Sequence, residues 1–183
     1  MAQRVLTLAF MRPAPEDPCL NRLTAAVSRH PFCHVELHFE TTNQCFSILA
    51  GETAALRKKS LANPNYALVS LSVPTGEYEA CLAHCRRISE MGLVFDEGGM
   101  WRSYSGPACC EQASHIQQKT FCSKIIAETL QYGNLGEALS LNPATTTPSR
   151  LYEAVYRSPR LLLNSVPYKR SAITTRPYIS NAL

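Results

Sequence analysis

The order of apolar and polar positions divides the chain into strands first and its main helices later. "RVLTLAFM" (residues 4–11) is apolar at most positions and predicts an opening strand. "RPAPEDPC" (12–19) ends it, because three prolines within six residues cannot keep donating to a ladder. "LNRLTAAVSRH" (20–30) carries Leu20, Leu23 and Val27 at the spacing of a short amphipathic helix. In "CHVELHFE" (33–40), His34, Glu36, His38 and Glu40 alternate with Val35, Leu37 and Phe39. That period of two predicts a half-buried strand with a solvated polar face. "TTNQ" turns the chain, and "CFSILA" (45–50) follows as the hairpin partner. "NYALVSLSV" (65–73) alternates as a further strand.

"TGEYEACLAHCRRISEM" (75–91) predicts a long helix capped by Thr75. "GLVFDEGGMWRSYSGPACCEQ" (92–112) is Gly-rich, holds the only Trp, and reads as a long loop. "TFCSKIIAETLQYG" (120–133) then starts a helix at Cys122, with Ile125, Ile126, Ala127 and Leu130 apolar and Gly133 as its stop. "NPATTTPSRLYEAV" (142–155) predicts a loop and a last helix with Thr147 at the cap and Pro148 first inside. No internal repeat interrupts this order. The class it implies is α+β.

Composition adds few constraints. A hydrophobic fraction of 45% and a charged fraction of 17% over 183 residues describe one globular domain with a sizeable core. The net charge of +4 is unevenly placed: five basic residues and no acid lie in 157–183, leaving −1 for the rest. The division expected is a domain over 1–156 and a basic tail over 157–183. The tail is the part expected to meet an acidic partner or surface, and no nucleic acid is expected for the domain. No apolar run reaches the ~18 residues of a membrane span, and "VLTLAFM" lacks the flanks of a signal peptide. The expectation is a cytoplasmic protein whose eight cysteines are mostly free thiols.

One of those thiols stands apart. A helix N-terminus presents unpaired N–H groups and a partial positive charge, so it stabilises a thiolate at Cys122. The plain alternative is a buried Cys packing the first turn. A nucleophile also needs a base and a group to hold that base. Of five histidines, His34 opens a strand, which places a base more rigidly than the loop of His30, the linker of His115 or the helix interior of His84. His38 is next in line, and for His38 and Glu36 a solvated strand face is the competing reading.

"FCHVELHFE…CFSILAGE", followed much later by "TFCSKIIAETLQ" and "NPATTTPSRLY", resembles the circularly permuted papain-like hydrolases. These are the branch of the NlpC-type cysteine peptidase superfamily, found in bacteria and large DNA viruses, in which His precedes Cys. Here His34 precedes Cys122 by 88 residues, and the resemblance covers roughly 4–156. It implies a permuted papain-like fold with Cys122 as thiolate and His34 as base, and no cofactor. It also implies cleavage of a peptide, isopeptide or lipid amide through a thioester, in the host cytoplasm for a viral chain. The family's third polar residue, on the following strand, falls at Phe46, which cannot orient an imidazole. Ser47 is the nearest polar candidate if the turn is a residue longer, and Glu36 is the alternative.

Other readings compete. Cys81, His84 and Cys85, and the Cys33–His34 pair, are zinc-type ligands, but the first set lies within one helix and the vicinal Cys109–Cys110 pair forms no knuckle. Lecithin:retinol acyltransferase-like enzymes share the permuted order, yet their nucleophile stands in Asn-Cys-Glu-His-Phe where this chain has Phe121-Cys122-Ser123-Lys124. A catalytically inactive binding module is the remaining alternative, and the incomplete triad motivates it.

Overall fold

The computed structural model describes residues 2–17, 19–28, 31–105 and 119–162. The opening apolar run forms β1 (Gln3–Met11), paired on one side with β2 (His34–Phe39) and on the other with β5 (Tyr66–Pro74). β3 (Gln44–Ser47) and β4 (Ala55–Lys58) extend the β2 side, giving a five-stranded antiparallel sheet in the order β4-β3-β2-β1-β5. The turn between β2 and β3 is made by Asn43 at φ 51°, a left-handed conformation that Asn tolerates better than most residues.

One face of this sheet is apolar: Leu6, Leu8 and Phe10 of β1, Val35, Leu37 and Phe39 of β2, and Val69, Leu71 and Val73 of β5 are buried in one core. α2 (Thr75–Met91), α4 (Cys122–Tyr132) and α6 (Pro148–Tyr156) pack against it. Tyr78 meets Phe39 edge-on at 5.3 Å, and Tyr152 meets Phe10 at 5.2 Å. Each such side chain contributes about 1.5–3 kcal/mol by leaving water. α1 (Cys19–Ser28), α3 (Glu97–Ser105), α5 (Gly136–Leu139) and a parallel pair of β6 (Val94–Phe95) with β7 (Lys119–Thr120) complete the α+β architecture. Among the described residues no helix is long and apolar enough to cross a membrane.

Several expectations change. Residues 92–105 are not a loop: β6 and α3 occupy them. Asp96 accepts a hydrogen bond from the Gly99 N–H at 2.8 Å, and a Cβ on Gly99 would lie 2.2 Å from its carboxylate. The two glycines that look like a loop thus allow a tight capped entry. Thr75 is not a cap. Its hydroxyl donates to the Ala2 carbonyl at 3.0 Å, and Pro74 stands at the N-cap of α2. Gly133 ends α4 without a positive φ; a Cβ there would lie 2.3 Å from Cys81 Sγ, so its value is close approach between α4 and α2. β4 and α5 escape the pattern because one is a short polar edge and the other a single turn. Thr147 does cap α6, accepting from the Arg150 N–H, with Pro148 next.

Of the basic segment, residues 158–162 run along the outer edge of β5. Ser72 N–H donates to Arg160 O and Leu162 N–H to Ser70 O, both at 2.9 Å, and Arg160 pairs with Glu77 and Glu137. The remainder of that segment, 163–183, lies outside the described residues, as do His30, His115 and the Cys109–Cys110 pair.

Candidate active site

α4 begins at Cys122 with the apolar side of its first turns, Ile125 and Ile126, sunk in the core. Phe121 before it is extended and no side chain caps the helix, so the thiol meets first-turn donors directly. The backbone N–H groups of Ser123 and of Val35 both help to hold the Cys122 thiol down. The following segment buttresses this end: Ser123 Oγ donates to Thr146 O at 2.6 Å, and an Arg150 guanidinium N–H donates to Thr145 O at 2.9 Å. The helix mouth is therefore held against the segment before α6, and α4 itself packs on β2.

His34 opens β2 and lines the same cleft as Cys122. The two are 5% and 4% exposed. Burial opposes charge on each, raising a thiol and lowering an imidazole. The opposite charge across the pair outweighs it, and Glu36 raises His34 further. Cys122 is held below the ordinary thiol range, and His34 is pushed up to about 9. Both directions favour thiolate beside imidazolium. Cys33, Cys45 and Cys81, where burial goes unanswered, are pushed up to about 12, 11 and 12. Among the described cysteines Cys122 alone is shifted down.

Glu36 is the group behind the imidazole. The polar face of β2 is not solvated as its alternation suggests, for Glu36 is 0% exposed. Its Oε1 lies 3.4 Å from His34 Nε2, long for a hydrogen bond but close for an opposite charge. Lys59 Nζ and the Tyr66 hydroxyl donate to the same oxygen, at 2.5 and 2.9 Å. Burial would raise this carboxyl, but His34 and then Lys59 hold it down at about 2. The register explains how Tyr66 arrives: His34 and Tyr66 both stand opposite Met11, on either side of β1, and Ala9 opposite Glu36 has only a methyl to cross.

Ser47 fares differently. Phe46 pairs with Leu37, so one step along the same register sets Ser47 beside Glu36, and it makes no side-chain hydrogen bond to His34. His38 turns away to the hairpin, with Nε2 3.2 Å from Asn43 Oδ1. Lys59, Tyr66 and the Cys45 thiol, which the Glu36 charge helps push up, are absent from the sequence reading; only the strand register brings them together. Tyr104 of α3 is a further neighbour: its hydroxyl is buried without a partner and pushed up by burial and by the charge at Cys122.

Cys122 and His34 face a narrow cleft of about 40 Å³, walled by Asn21, Thr24, Cys33, Leu49, Phe95 and Met100 and roomy enough for water. Phe95 also borders a wider, open groove of about 480 Å³ with Gly51, Thr53, Arg57 and Val94. Among the described residues no group of three His, Cys, Asp or Glu stands in metal-holding geometry. No family model matches this chain, and no curated protein matches it.

Proposed function

We propose that the chain is a papain-like thiol hydrolase, permuted so that the His strand precedes the Cys helix, that cleaves amide or isopeptide bonds with Cys122, His34 and Glu36. The observation that carries this reading is the Cys122–His34 pair itself: a thiol at a helix mouth and an imidazole on one cleft, with both shifts favouring the ion pair. Thiolate character at neutral pH is what makes a cysteine nucleophilic.

In this reading Cys122 Sγ attacks the substrate carbonyl. The negative charge that develops on oxygen lies near the first N–H groups of α4, and one such donor is worth about 3 kcal/mol. His34 gives its proton to the departing amine, leaving an acyl thioester on Cys122. A water in the cleft then attacks the thioester, with neutral His34 taking the water's proton. Cleavage of the C–S bond releases the acid and leaves Cys122 as thiolate beside the imidazolium of His34. Glu36 stays ionised and offsets the charge on His34 whenever it forms. The groove beyond Phe95 gives an extended substrate a path to the thiol.

An activated ester tests the reading without knowledge of the natural substrate. Incubation with p-nitrophenyl acetate should release p-nitrophenolate in a burst and leave one acetyl group on Cys122, read by peptide mass spectrometry. Cys122→Ser should show neither while keeping its fold. Acetylation confined to lysines would overturn the proposal.

A further inference from the structure

Lys59 follows β4, yet its side chain reaches back past β3 to the buried carboxylate of β2. The ammonium also sits 5.5 Å from the centroid of the Tyr66 ring. The Lys59 side chain is 40% exposed and the Glu36 side chain 0%, so a cation open to solvent pairs with a fully buried carboxylate. Two donors converge on Glu36 Oε1, from Lys59 and Tyr66, with His34 Nε2 3.4 Å away and making no hydrogen bond, while Oε2 is buried without a partner.

The groups facing Glu36 differ in what they offer. On β5, Tyr66 is a neutral donor, its hydroxyl pushed up to about 12 chiefly by burial. On β3, the Cys45 thiol is neutral too, pushed up to about 11. On β2, His38 is engaged with Asn43, and His34 gains and loses its proton during the reaction. Among the described residues Lys59 is the permanent cation on this carboxylate.

We infer that Lys59 is a positioning residue of the site, holding Glu36 ionised and in place behind His34, and that it thereby sets the acidic end of the range in which Cys122 reacts. The inference rests on the thiol-hydrolase reading above. Without Lys59, Glu36 would depend for its charge on His34, and His34 for its own on Glu36 and Cys122. Acidification would then neutralise Glu36 and Cys122 together and strip His34 of its counter-charges. With Lys59 present, the carboxylate remains charged as pH falls and His34 keeps its counter-charge.

The test is the rate of Cys122 alkylation by iodoacetamide, read by mass spectrometry between pH 4 and 8, in wild type, Lys59→Met, Lys59→Arg, Glu36→Gln and the double variant Glu36→Gln/Lys59→Met. Losing a cation at this distance raises a carboxylate by about 1–3 units. Lys59→Met should therefore move the acid limb up by about one pH unit, with little change at pH 7.5, and Lys59→Arg should restore it. Because the effect runs through Glu36, adding Lys59→Met to Glu36→Gln should move the limb no further. If Lys59→Met folds poorly, Lys59→Gln, which keeps a donor without the charge, reads the same shift. An unmoved or lowered acid limb, an equal loss at every pH, or a Lys59 effect that persists in the Glu36→Gln background overturns the inference. If wild-type Cys122 alkylates no faster than the other thiols, the hydrolase reading fails and the Lys59 role goes with it. A reactive wild-type Cys122 with an unshifted Lys59→Met removes the Lys59 role alone.

Discussion

Two buried histidines in this molecule lie among cysteines, and their surroundings push them in opposite directions. His34 meets Cys122 at a helix mouth and is raised to about 9. His84 shares α2 with Cys81 and Cys85 and is lowered, by burial and then by Arg87, whose guanidinium lies 3.1 Å from its Nδ1. Its ring packs tilted against Tyr132 at 4.6 Å, and its Nε2, like that of His34, is buried without a partner. The two thiols beside it hydrogen-bond the backbone and hydroxyl of Thr129 and are pushed up by burial. The residue types are the same. The difference lies in what answers the cost of burial: a helix N-terminus and the Glu36 carboxylate at one place, a helix interior and a like charge at the other.

The largest expected effect sets these two histidines against each other. His34→Ala should slow turnover of p-nitrophenyl acetate by about 10²–10⁴-fold, the usual worth of a positioned acid–base group. His84→Ala should lower the melting temperature but leave the rate per folded molecule as it is. A comparable rate loss in both would erase the contrast.

Next in size is the acid stability that Glu36 confers. Its carboxyl titrates near 2 in the folded protein and at about 4.3 when unfolded, so the unfolded chain binds the proton first. The stabilisation is present above the unfolded value and is lost as pH falls through it toward 2. Linkage puts the amount on the order of 3 kcal/mol. Urea unfolding of wild type between pH 6 and 2.5 should show this fall, and Glu36→Gln should lack that part of it. Parallel curves for the two proteins would mean that the carboxylate gains nothing from its neighbours.

The smallest effect belongs to Ser47. With no hydrogen bond to His34, Ser47→Ala should leave both the rate and the pH profile of Cys122 close to wild type. A loss as large as that of Glu36→Gln would return Ser47 to the site.

The sequence reveals much of this contrast, though not the part that decides it. Cys122 is legible because Phe-Cys-Ser precedes an apolar helical face, and His34 because it heads an alternating strand. Glu36 is visible only as a strand residue with the parity of the polar face, and parity alone does not tell a solvated face from a buried one. What buries it, Tyr66 and Lys59, comes from strands that must first find their register, and a run such as Arg57-Lys58-Lys59 looks like any solvated edge. α3 was hidden for a different reason. Its entry needs glycines, because a Cβ on Gly99 would strike the Asp96 carboxylate, and glycines also mark loops.

The central claim is that Cys122 and His34 form a reactive ion pair while the cysteines of α2 are core thiols. Competitive alkylation at pH 6 with limiting iodoacetamide, quantified cysteine by cysteine, tests it most directly. Cys122 should be modified well before Cys33, Cys81 and Cys85, and His34→Ala should remove that lead because the imidazolium that stabilises the thiolate is gone. Equal modification of Cys122 and Cys81, or a lead that survives His34→Ala, would contradict the account.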